Sequence, residues 1–186
     1  MRKSYLDQRQ QIMNEWFERG ESAQEQQNKF EAFIYLWISL IVGCKIEMGN
    51  NIPATKYMQK DIGDLECIKY WFKSHSAFVN DQIKRNWQTL SALGKRTGSH
   101  FGDPIIDTKS PNLKVRFARL KKYFNGTYAY DKDKQLAEDF AELLNKIRNN
   151  LFHGDKSYDN RSDRELLGAI LPVLKNLTEE LVESNQ

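Results

Sequence analysis

LAEDFAELLNKIRNNLFHG, residues 136–154, is the stretch on which the fold turns. Leu136, Phe140, Leu143, Leu144, Ile147 and Leu151 recur there at three- and four-residue spacing. At about 100° per residue, this spacing gathers them on one side of an α-helix. The pattern predicts a helix that buries this stripe in a core. Arg148 falls at the edge of the stripe, Asn145, Asn149 and Phe152 line the adjoining flank, and His153 lies further round it. A phenylalanine on an otherwise polar flank points to a second burying surface, either another helix of the same chain or a partner subunit, with the partner preferred. Gly154 then supplies the residue that most readily takes the left-handed conformation closing a helix, which leaves His153 in the last turn.

The same periodicity runs outward in both directions. A first helix is expected over residues 4–19, with Leu6, Ile12, Met13, Trp16 and Phe17 inward and Gly20 interrupting it. A second, over 23–45, is apolar all round from Ala32 to Cys44 except at Ser39, as a central helix would be. Its apolar run, residues 33–44, falls short of the roughly 20 residues that span a bilayer, so no transmembrane segment is expected. A pair of helices is read between residues 55 and 93, containing Ile62, Leu65, Ile68, Trp71, Phe78, Ile83, Trp87 and Leu90. A long loop rich in Gly, Pro, Ser and Thr follows over 94–112; it is longer than ordinary connections and so reads as either functional, bordering a substrate, or mobile. A short helix over 113–124 ends at Asn125-Gly126. Ser162-Asp163-Arg164-Glu165 forms a capping-box pattern before a last helix that Pro172 should kink or split. Strand signals are scarce, so the fold class expected is all-α: a helical bundle with extra helices and a long middle loop, forming one domain over residues 1–186.

The chain has 186 residues, 40% of them hydrophobic, enough for one core. Its net charge is only +3, but ten Lys or Arg face two Asp between residues 84 and 122, a local +8 that leaves −5 for the rest. Within that region Lys114, Arg116, Arg119, Lys121 and Lys122 stand with Phe117 and Tyr123. The mix is able to hold phosphates and stack a base, and reads equally as a solvated basic face. The two cysteines, Cys44 and Cys67, have no metal-like or disulfide-scaffold spacing and read as small buried apolar residues. With no secretory apolar core at the N-terminus, a cytoplasmic protein is expected. P-loop, dinucleotide-turn and zinc-helix motifs are missing, and His75, His100 and His153 are scattered, so no cofactor and no metal are expected.

Chemistry concentrates at Arg148-Asn149-Asn150-Leu151-Phe152-His153. An arginine forks onto phosphate oxygens, and a histidine titrating near neutral pH exchanges a proton at a ribose hydroxyl. The plainer reading is that both residues favour the negative end of the helix dipole. Glu31, beside the most apolar helix, must stand at its wet end or be paired; a pairing with Arg148 and a solvated first-turn carboxylate are both open.

Residues 145–156, NKIRNNLFHGDK, resemble the R-x4-6-H signature of HEPN ribonucleases, including the polar residue after the arginine and the glycine after the histidine. Residues 28–44, NKFEAFIYLWISLIVGC, resemble the first long core helix of HEPN domains with its Phe-Glu-Ala-Phe opening, and residues 162–181 resemble the last. The middle third is poorly matched. The resemblance implies a homodimer whose two motif helices meet at a composite cleft. It implies His153 as general base or acid at the 2′-hydroxyl, Arg148 stabilising charge on the phosphate, and Asn149 positioning phosphate or His153. Glu31 would orient the guanidinium, and Asn145 would support the site. Products would be a 2′,3′-cyclic phosphate and a 5′-hydroxyl, made from RNA without a metal. Such proteins are often toxins of toxin–antitoxin pairs or antiviral defence effectors, which implies control by an antitoxin or another protein. A noncatalytic HEPN module that binds nucleic acid or protein, and a plain helical scaffold, are the competing classes.

Overall fold

Apolar periodicity becomes helix along the whole described chain. A computed structural model describes residues 5–51, 63–94, 110–152 and 161–185. Among these are eight α-helices and no strand: α1 (Tyr5–Glu25), α2 (Lys29–Asn51), α3 (Asp64–Ser74), α4 (Ser76–Arg85), α5 (Trp87–Gly94), α6 (Pro111–Phe124), α7 (Asp133–Phe152) and α8 (Arg161–Ser184). The fold is all-α, as the sequence predicts. The helices group into two compact units, one of residues 1–71 and 173–186, the other of residues 72–172.

In the first unit α1 lies along α2, and its path corrects two expectations. The helix does not stop at Gly20 but runs on to Glu25. Gly20 is a point of close approach: a Cβ there would stand 2.7 Å from Leu36 Cγ, so hydrogen in place of a side chain lets α2 come near. The chain turns instead at Gln26-Gln27-Asn28, where Gln27 takes a φ of 59°. Asn28 Oδ1 then accepts the Glu31 N–H at 3.2 Å and caps α2, so Ala23 belongs to α1. Leu6 and Ile12 are exposed, against expectation. The inward stripe is Met13, Phe17, Gly20 and Ala23, and Ile12 sits one 100° step off it.

On α2, Ala32, Phe33, Leu36, Trp37, Leu40 and Cys44 are all buried. Ser39, the polar exception, donates from Oγ to the Met13 carbonyl at 2.8 Å, so its burial is compensated by a bond to α1. Thr178 of α8 donates to the Leu174 carbonyl of its own helix at 2.8 Å and reaches the Leu36 carbonyl at 3.5 Å. Lys175–Glu21 and Lys45–Asp64 pairs, each 2.7 Å, tie α8 to α1 and α2 to α3. Residues Lys29–Gly49 are long and apolar enough to cross a membrane by length and composition, which corrects the shortness inferred from the uninterrupted run. Much of that length is buried against α1 and α8, which accounts for its apolar character.

In the second unit three helices, counting the end of α3, stand where two were expected. The breaks fall at His75 and Asn86. Asn86 Nδ2 donates to the Gln82 carbonyl at 2.9 Å, a local bond that competes with continuation of the helix. Ser110 caps α6 and Pro111 opens it, so the helix begins before residue 113. Asn125 and Gly126, the latter at φ 78°, end it where expected. Most of the predicted long loop, residues 95–109, lies outside the described residues, as does Ile62. Against α7 lie α4 and α6. Asn80 of α4 donates to both the backbone and the side chain of Asp133 at the start of α7. In α8, Arg161 already lies in the helix and pairs with Glu165 at 2.9 Å, so Ser162 is inside the first turn rather than at a capping box. Pro172 lies within one continuous helix and does not split it.

Candidate functional site

The motif stripe is buried as its spacing dictates. Leu136, Phe140, Leu143, Leu144, Ile147 and Leu151 all face the core, with Ala137 and Ala141 beside them. Arg148 is half-buried at the edge of this stripe. Its Nη1 donates to Asn149 Oδ1 at 3.0 Å, so guanidinium and amide are brought together. Asn145, one turn earlier, is half-buried on the same flank. His153 and Gly154, and the side chain of Phe152, lie outside the described residues. Glu31 is exposed in the first turn of α2, where a carboxylate complements the helix dipole. It belongs to the first unit and Arg148 to the second.

Of the five basic residues on α6, Lys114 and Lys122 are exposed and Lys121 is half-buried. Arg116 and Arg119 require a correction to the reading of a free basic face. Both are tied to Asp139 of α7, whose side chain has 0% exposure. Arg116 Nη1 donates to Oδ1 at 3.2 Å. Arg119 donates from Nε to Oδ2 and from Nη2 to Oδ1, each at 3.0 Å, a forked pair. Tyr130 adds its hydroxyl to Oδ2 at 2.8 Å. A charge with no access to water has to be paired and hydrogen-bonded, and these four bonds do so. Burial pushes the Asp139 carboxyl above the ordinary carboxylate range, opposed by the Tyr130 hydroxyl and the two guanidinium groups. Burial, then the Asp139 charge, pushes the Tyr130 hydroxyl well above its ordinary value.

Aromatic rings continue from this hub. Tyr130 meets Tyr128 and Tyr123 edge-on, with centroids 5.1 and 5.3 Å away, and Tyr123 meets Trp87 at 5.2 Å. Sequence reasoning missed Asp139, although a signal was present. It stands three residues after Leu136 and four before Leu143, a carboxylate on the stripe that faces the core. Among the described residues no group of three or more His, Cys, Asp or Glu side chains is placed to hold a metal. Cys44 and Cys67 are buried free thiols, and burial raises both above the ordinary thiol range. Comparison of the chain with protein-family models, with curated proteins and with solved structures finds no match.

Proposed function

We propose that the chain is a metal-independent endoribonuclease of the HEPN type, cutting RNA at a composite site where the motif helices of two copies meet. The observation that carries this reading is the end of α7, where Arg148 stands half-buried on Asn149, five residues before His153 in the sequence. An all-helical chain and the R-N-N-L-F-H motif support it. In this reading His153 takes the proton of a ribose 2′-hydroxyl and the oxygen attacks the adjacent phosphorus. The bond to the 5′ oxygen breaks, and that oxygen leaves as a hydroxyl after receiving a proton. Arg148 offsets the charge gathering on the phosphate, with Asn149 holding the guanidinium. The products are a 2′,3′-cyclic phosphate and a 5′-hydroxyl, and DNA survives because it lacks the attacking group. The setting proposed with it is a cytoplasmic toxin or antiviral defence effector, restrained by an antitoxin or another partner protein.

One observation favours a second reading, a noncatalytic HEPN module that binds nucleic acid or protein. The Arg148 guanidinium is engaged by Asn149 of its own chain, and its Nε is buried. The two readings separate in one experiment. A mixed cellular RNA pool is incubated in EDTA with wild type, His153→Ala and Arg148→Ala at matched folded concentration, and the product ends are analysed. Cleavage by wild type alone, leaving cyclic phosphates, is the expected result. Loss should be at least about 100-fold for either variant, the scale of one general acid–base or charge-stabilising group. Equal cleavage by all three removes His153 and Arg148 from the chemistry. Salt-dependent binding without cleavage selects the second reading.

A further inference from the structure

We propose that Asp139 holds Arg116 and Arg119 as a fixed pair of guanidinium groups that grips the phosphate backbone of an RNA strand, with Lys122 extending the surface from Arg119 along α6. The proposal rests on RNA being the substrate and adds where the strand is held away from the motif.

The first observation is a charge imbalance. One buried carboxylate is compensated by one guanidinium, yet Asp139 receives two, so the group keeps a surplus positive charge. Both arginine side chains remain partly open to water, at 30% and 26% exposure. The second is the geometry of the remaining donors. Asp139 engages Nη1 of Arg116 and the Nε and Nη2 edge of Arg119. Arg119 also hydrogen-bonds the Tyr130 hydroxyl, so the edge left over is Nε and Nη2 of Arg116, a planar fork of the kind that matches phosphate oxygens.

The third is the surrounding helix. Residues Pro111–Phe124 include five basic side chains and no acidic one. Lys114, Ala118 and Lys122 follow one another at four-residue spacing on the exposed side, with Val115 and Arg119 alongside. Arg119 and Lys122 are neighbours one turn apart, and Arg116 and Lys122 are about 9 Å apart along the axis, room for more than one phosphate. Val115, 57% exposed between the basic residues, offers an apolar contact to a ribose or base edge. Because the guanidinium groups are already immobilised by Asp139, binding loses little further side-chain freedom. Asp139 is thus a positioning residue that acts through the two arginines.

Removing a negative charge beside an anion site strengthens binding on electrostatic grounds alone, whereas removing the group that aims the arginines weakens it. Asp139→Asn therefore separates positioning from a purely structural tie. The probe is a short fluorescein-labelled 2′-O-methyl oligouridine, whose blocked hydroxyl prevents cleavage, titrated against the full chain by anisotropy over a range of salt. Asp139→Asn, folded by circular dichroism, is expected to bind about tenfold more weakly. Lys122→Ala should weaken binding and lower the slope of log affinity against log salt by about one. Equal or tighter binding by folded Asp139→Asn overturns the proposal, as does a wild type that fails to bind or releases the strand equally to polyglutamate. Should Asp139→Asn not fold, Arg116→Lys/Arg119→Lys keeps the charge and loses the forks; weaker binding supports the clamp and unchanged binding overturns it. Cleavage of unmodified RNA is read separately: weakened binding by the variants with no cleavage by wild type leaves the clamp standing without the ribonuclease, and wild-type cleavage with unaltered variant binding does the reverse.

Discussion

Asp139 joins two helices through four hydrogen bonds, and its removal leaves two guanidinium groups facing a cavity. Both guanidinium groups retain a path to water, so the cost falls at the low end of that for breaking a buried pair. Asp139→Ala is expected to lose about 3 kcal/mol of stability, read from urea unfolding. Tyr130→Phe removes one bond to the same carboxylate and should cost about 1.5 kcal/mol. A loss for Asp139→Ala no larger than that for Tyr130→Phe would show that the arginines find solvent at no cost. Arg148 stands at the edge of its stripe rather than within it, and Arg148→Ala should unfold within about 1 kcal/mol of wild type.

At the scale of elements, the α1–α2 contact turns on Gly20. Alanine is the better helix former by about 1 kcal/mol, but its methyl would meet a fully buried Leu36 at 2.7 and 2.8 Å. Overpacking prevails, and Gly20→Ala should cost about 1 to 2 kcal/mol net. A double-mutant cycle with Leu36→Ala should show strong coupling; additive losses would place the strain elsewhere. This residue also marks where sequence reading stops. A glycine inside a helical pattern reads as a break or as a close approach, and only the neighbouring helix decides which. The α7 stripe was legible because six apolar residues repeat at helical spacing, and the Ser110-Pro111 start of α6 could have been read from capping chemistry. Asn86 was harder, since its bond to the Gln82 carbonyl is local yet leaves no periodic trace. The inward turn of Arg116 and Arg119 was not legible at all, because it depends on a carboxylate 20 or more residues away. Of the candidate site, Arg148 and Asn149 were placed together by adjacency, and the role of Asp139 emerged only from packing between helices.

For the whole molecule, the buried Tyr130 hydroxyl sets a limit in alkali. The fold holds it in the neutral form, so its pKa is raised above the value in the unfolded chain. Its contribution is fully present below about pH 10, the ordinary tyrosine value, and is lost as pH rises beyond it. The urea midpoint of wild type should fall between about pH 9 and about pH 11, and less steeply for Tyr130→Phe. Parallel declines would assign the loss to other groups, such as the Lys175–Glu21 pair, which weakens over the same direction of pH.

The four tryptophans divide unevenly: Trp16, Trp37 and Trp71 belong to the first unit, and Trp87 alone to the second. Trp87 touches Tyr123, which touches Tyr130, so its indole lies two rings from the carboxylate that holds the α6 arginines. The chain thus carries its own optical reporter. A variant keeping only this fluorophore would register events at the arginine pair as a change in emission.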